Sequence, residues 1–377
     1  MCFGHPWATP YSTLATIADR RFGAAIVVPG SLRRDPRPDG GPAISISLIV
    51  AAFLGFLFVV FLIIHSGAAE VASAMLALGW WLAPITLYHL LPLYFDATSW
   101  RELFPAFGRP RRLSFLWMRW IRESVSTLLP VAGVGGDVVG ARLAYQRGVP
   151  GAQATGSMVV DVTVGAATQL VFVLVGVGLL AAGKTHDAAA TAWGLTIGVA
   201  IFAAAIGLFV RLQHNSMFAV LIGWAHRLAP KSWMSSFAGR AEAIDEAIVA
   251  TYRRRFALSR SSLLRLVGWV FGVGEVWLAT RVLDWPLSLI DSFILESLST
   301  GVRGAAFMVP GALGAQEGGM VLFGALLGLP ADLALAVSLT KRVRELALGL
   351  PGLAAWQWVE GRRLLARQEH KASSTSS

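Results

Sequence analysis

The chain has 377 residues, of which 55% are hydrophobic and 14% charged, with a formal charge of +10 and a mean hydropathy of +0.61. That balance excludes an ordinary soluble domain and predicts an all-α, polytopic integral membrane protein. The basic residues collect between apolar segments, as residues that orient helices in a bilayer do, so nucleic acid is not expected as a partner. The single cysteine, Cys2, leaves no intrachain disulfide and no cysteine metal cluster.

Residues 1–42 form a charged, proline-rich stretch around Arg33, Arg34 and Arg37, read as a disordered cytoplasmic leader. The segment 43–64 is long enough to cross the hydrocarbon core, and its amino end is expected inside. Residues 65–77 are expected along the outer interface, and 78–100, flanked by Trp80, Trp81 and Trp100, to return inward. Six arginines between Arg101 and Arg122 then mark a cytoplasmic stretch, either orienting the chain or also recruiting anionic lipid. Residues 113–148 leave no room for a full crossing in both directions and read as a re-entrant hairpin from the inside. Spans over 156–182 and 188–210 follow, then a long polar cytoplasmic connection over 211–265 expected to be amphipathic helix. A span over 266–282 leads to a second hairpin, 286–329, entering from the outside, and 331–358 crosses back in. The expectation is about six full spans plus two re-entrant hairpins within 43–365, and a cytoplasmic tail over 366–377.

The two hairpins share a pattern. Glu123-Ser-Val-Ser-Thr127 leads to Pro130 and Asp137, and Glu296-Ser-Leu-Ser-Thr300 leads to Pro310 and Glu317. In each copy the proline is followed, seven positions on, by a carboxylate amid glycines. With the hairpins facing opposite sides, the halves, about 101–212 and 263–360, form an inverted repeat, and paired interruptions in such halves point to a binding site.

Asp137 and Glu317 stand at the two breaks, either binding a ligand directly or capping the helix that restarts there. Glu123 and Glu296 open the two pentads, whose serines suit helix packing. Arg303 lies in apolar sequence, placed to reach a phosphate or one of the acids. Asp161 and Lys341 fall opposite one another at an offset of 180 residues, with Arg342 beside Lys341; they neutralise each other across the repeat or contact substrate. His89 and the other histidines show no metal spacing and read as interfacial or packed side chains. No phosphate loop, dinucleotide fingerprint or nucleophile elbow is present, so no cofactor, no metal and no catalytic group is expected.

The run from Glu123 through Pro130 and Asp137 to Arg142, with Pro310-Gly-Ala-Leu-Gly314-Ala-Gln-Glu317-Gly318, resembles the transmembrane region of the lysylphosphatidylglycerol synthase and flippase-like superfamily, most of all its hopanoid-biosynthesis-associated branch. The resemblance covers about residues 43–365. It implies a multi-pass protein of the bacterial inner membrane, both termini cytoplasmic, that binds and flips a lipid of the hopanoid, isoprenoid or phospholipid class. The alternatives are a non-transporting scaffold for lipid-biosynthesis enzymes and an enzyme acting on a lipid head group. It assigns substrate contacts to Asp137, Arg142 and Glu317, with Arg303 added from its position. Ala312 replaces the motif's middle glycine, and Val160-Asp161 stands where many relatives have Glu-Arg. With the chain stopping a short way past Arg362, the soluble aminoacyl-transferase domain of synthase members, and so synthase activity, is not expected.

Overall fold

The computed structural model describes residues 68–105, 109–129, 134–183, 231–306 and 309–375, plus isolated helical positions before 68 and between 200 and 211. The leader, most of the expected spans 43–64 and 188–210, and the first hairpin's tip, including Pro130, lie outside the described residues. Every described element is helical, as the composition requires.

A nearly continuous helix opens the described chain: α1 (Ala68–Leu78), a 3-10 turn (Gly79–Trp81), α2 (Leu82–Tyr88) and α3 (Leu90–Glu102). Its joints follow from the sequence. Gly79 adopts φ +42, and Pro84 and Pro92 each fall in the first turn of a new segment, where a missing N–H costs nothing. The described part of the stretch expected along the interface, Ala68–Leu78, is therefore joined directly to the helix that follows. From Val71 the helix belongs to one apolar stretch reaching Glu102, because the alanine-rich run before Gly79 contains nothing that stops a helix.

The first hairpin is α4 (Arg112–Leu128) and α5 (Val134–Gln146). At 17 and 13 residues they measure about 26 and 20 Å, too short to cross a core of about 30 Å. α6 (Gly151–Gly183) follows. The long polar connection contains α7 (Lys231–Arg253), packed along α6, and α8 (Arg255–Val282) starts well before the expected span at 266. Between them Arg254 turns back to donate to the carbonyls of Leu103 at 2.9 Å and Phe104 at 3.1 Å, placing a cation on the exposed carbonyl end of α3. The second hairpin is α9 (Leu289–Ala305), a 3-10 turn (Pro310–Ala312) and α10 (Ala315–Leu326), and α11 (Ala331–Thr375) completes the order.

Among the described residues three helices are long and apolar enough to cross a membrane: Val71–Glu102, Gly151–Ala182 and Arg255–Val282. α11 contains the expected last span, but Lys341, Arg342, Arg344 and Glu345 interrupt its apolar run. Two apolar cores hold the bundle. One centres on Trp100, Phe104 and Phe115, which meet edge-on with ring centroids 5.0–5.7 Å apart. The other joins Leu78, Ile85, Leu295, Leu298 and Met320.

Candidate functional site

The pentads are explained by the faces of the helices that carry them. Within α4, Glu123 and Thr127 are four residues apart and so share a face; within α9, Glu296 and Thr300 do the same, and all four line one cavity of about 340 Å³. The second pentad residue packs on another helix where a glycine admits it. A Cβ at Gly352 of α11 would lie 2.0 Å from Ser124 Oγ, and one at Gly176 of α6 would lie 1.9 Å from Ser297 Oγ. The fourth residue faces the return helix of its own hairpin: Ser126 packs its hydroxyl against Gly136, and Ser299 comes close to Gly319 through its backbone and donates to Met320 Sδ at 3.7 Å. Each pentad thus presents an acid and a hydroxyl to the cavity, joined in the second copy by Ser299, and packs its second residue, Ser124 or Ser297, against a glycine of another helix.

The breaks meet. A Cβ on Gly311, in the tight turn of the second hairpin, would stand 3.3 Å from the carbonyl of Thr127 at the end of α4. Gly311 and Ala312 both have left-handed backbone, φ +60 and +47. Ala312 thus holds a conformation an L side chain adopts at a cost.

Around the cavity the charged side chains form two networks. In the first, Arg119 contacts Asp96 at 2.7 Å, Asp96 contacts Arg265 at 2.8 Å, and Arg265 contacts Asp161 at 3.2 Å. Asp161 also takes Arg122, which reaches Asp137 at 2.7 Å. In the second, His89 lies between Glu123 at 2.8 Å and Glu275 at 2.6 Å, and Glu275 also holds Arg344. Glu345 receives Arg303 at 2.6 Å and Arg342 at 2.8 Å, and Arg342 continues to Glu317 at 2.6 Å. Lys341 and Glu296 make a separate buried pair, with Thr300 3.4 Å from Glu296. Pairing of this kind is what lets charge exist at such depth.

Of the residues singled out from sequence, Glu123, Glu296, Arg303 and Lys341 line the cavity. Glu317 does not. Its buried carboxylate accepts the Gly314 N–H at 2.8 Å and Arg342 Nε at 2.6 Å, so it caps α10 and anchors α11. Asp137 stands in the first turn of α5 against Arg122. Arg142 points away from the cavity, 56% exposed and paired with Glu360. Pro310 opens the second turn. The expected opposition of Asp161 and Lys341 does not occur: Asp161 is held by Arg122 and Arg265, and Lys341 by Glu296. Equivalence in a repeat is not proximity, and each charge takes the nearest partner on its own neighbouring helices.

The sequence reading missed His89, Asp96, Glu275 and Arg344, all cavity-lining. Glu275 carried a usable signal, as an acid alone inside an apolar span. His89 read as an ordinary packed histidine because its partners lie 34 and 186 residues away. Among the described residues no cluster of His, Cys, Asp and Glu is arranged to hold a metal ion.

Residues 44–352 match the protein-family model described as the lysylphosphatidylglycerol synthase TM region. No curated protein and no solved structure matches the chain.

Proposed function

The chain belongs to the lysylphosphatidylglycerol synthase TM region family, a multi-pass membrane family associated with lipid handling, and from that premise we propose that it is a lipid carrier of the bacterial inner membrane. It moves a lipid between leaflets without chemically modifying it, with both termini in the cytoplasm and the two hairpins entering from opposite faces as an inverted repeat. Hopanoid, isoprenoid and phospholipid remain the lipid classes in view.

One observation carries the reading: a single cavity takes an acid, a hydroxyl and basic side chains from both hairpins and the helices around them. At about 340 Å³ it sits at the small end of small-molecule sites, roughly 300–1,000 Å³. It accommodates a polar head group while acyl chains stay in the bilayer. Arg303 and Lys341 offer donors to a phosphate, and Glu123 and Glu296 accept from a hydroxyl or amine. Because these groups are partnered with Glu345, His89 and one another in the present state, a head group enters by exchanging protein partners for its own, and the head group never faces hydrocarbon bare.

The test is leaflet redistribution of labelled lipid in proteoliposomes. Glu123→Gln and Glu296→Gln should slow it by at least about tenfold, the loss of roughly 1.4 kcal/mol of interaction, while Arg142→Gln should not. Unchanged rates in both cavity variants would remove the cavity from the mechanism. No movement by the wild-type protein would favour the scaffold reading.

A further inference from the structure

We infer that His89 is the proton-binding group of the cavity and that transport exchanges a proton for a hydrogen-bond donor of the lipid head group at Glu275. This rests on the carrier reading above and adds its coupling ion.

The geometry at the ring comes first. Nε2 lies 2.8 Å from Glu123 and Nδ1 lies 2.6 Å from Glu275. A carboxylate oxygen accepts and does not donate, so the imidazolium, with an N–H on each ring nitrogen, satisfies both carboxylates, whereas the neutral ring would accept from Arg344 at the same Nδ1. Charge balance says the same. The first network sets Asp96, Asp137 and Asp161 against Arg119, Arg122 and Arg265. The second sets Glu123, Glu275, Glu317 and Glu345 against Arg303, Arg342 and Arg344. A proton on His89 supplies the fourth cation.

The same ring has a second arrangement ready. Arg344 Nη1 lies 2.9 Å from Nδ1. When the proton leaves, Nδ1 presents a lone pair that accepts from Arg344, while Nε2–H stays on Glu123. Glu275 Oε1 then loses its donor and faces the cavity it lines. An amine or hydroxyl of a head group replaces the lost N–H there, so proton and head group compete for one oxygen. Two other cations that line the cavity are held elsewhere: Arg119 of α4 by Asp96 of the ring's own long helix, and Lys341 of α11 by Glu296 of α9. Because Glu123 is on α4, Glu275 on α8 and Arg344 on α11, the change of partner is felt by the first hairpin and by the helix that carries the second network.

The experiment uses the full chain in phosphatidylethanolamine and phosphatidylglycerol vesicles, with nitrobenzoxadiazole-labelled phosphatidylethanolamine as probe and a pH gradient across the membrane. The readout is the final leaflet ratio, which does not depend on rate. At one proton per lipid, a gradient of one pH unit shifts that ratio by about tenfold, and His89→Gln, which cannot take up a proton, should show no shift. A wild-type protein that moves the probe but ignores the gradient overturns the proton coupling and leaves the carrier reading standing. If the probe does not move at all, the carrier reading fails for that head group, and nitrogen-15 spectra of the histidine-labelled protein decide the proton site. There, an imidazolium signal that disappears in His89→Gln supports it, and a neutral His89 ring overturns it. Should His89→Gln fail to fold, Glu275→Gln takes its place and must likewise abolish the shift.

Discussion

Substituting Glu317 with glutamine separates a lock from a ligand site. The buried carboxylate serves three donors, the Gly314 N–H at 2.8 Å and Arg342 through Nε at 2.6 Å and Nη2 at 3.3 Å. Glutamine keeps one acceptor oxygen, so it can retain the cap, but its NH2 then faces guanidinium N–H groups, donor against donor. A charge-assisted hydrogen bond contributes about 1.5–3 kcal/mol, whereas orphaning a buried charge costs about 3–5 kcal/mol. Arg342 is not orphaned, since Glu345 at 2.8 Å and the Gly311 carbonyl at 2.7 Å still hold it. The expected loss is therefore about 2–3 kcal/mol, above the roughly 0.5–2 kcal/mol of a lost cap alone. Unfolding in mixed micelles, followed by tryptophan fluorescence, measures it, and a double-mutant cycle with Arg342→Gln should show a coupling of at least about 1 kcal/mol. Losses that simply add, or a Glu317→Gln protein as stable as wild type yet unable to move lipid, would refute the assignment of Glu317 to structure.

The remaining expectations test packing and exposure. Ala312→Gly, at φ +47, should raise stability by about 1 kcal/mol in the same unfolding assay, because a left-handed position penalises a Cβ by about that much. Gly176→Ala drives a Cβ to 2.9 Å from Ser297 Cβ. Overpacking of about 1–3 kcal/mol, less about 1 kcal/mol of helix propensity, leaves a net loss of up to roughly 2 kcal/mol, and Ser297→Gly should couple favourably with it. Arg142→Gln should change stability by less than about 0.5 kcal/mol, since its pair with Glu360 is more than half exposed on the arginine side.

How much of this was legible depended on what the sequence encodes locally. The pentads were visible because identical residues recur 173 positions apart, from Glu123 to Glu296, and their helical faces follow from spacing alone. The hairpins were legible because Arg122 and Arg142 leave no room between them for a crossing in both directions, and because the second break lies between two turns expected outside. What spacing could not reveal is the direction of a carboxylate in the first turn of a helix. At that position the side chain folds back on its own amides or on an arginine, as Glu317 does, rather than into a cavity. Nor could it reveal ion pairs whose members are brought together only by packing: Arg344 and His89 lie 255 residues apart. Asp161 with Lys341 failed for that reason, as an alignment correspondence treated as a contact.

The serine and glycine contacts have a consequence for how the protein is made. Ser124 of the first hairpin rests on Gly352, near the far end of the chain, and Trp120 beside it donates to the carbonyl of Leu348, 228 residues downstream. Synthesis at about 5–20 residues per second delivers that partner roughly 10–45 s after the hairpin emerges, 228 residues earlier. Through that interval the face of α4 that carries Trp120 and Ser124 lacks the helix it packs on in the finished fold.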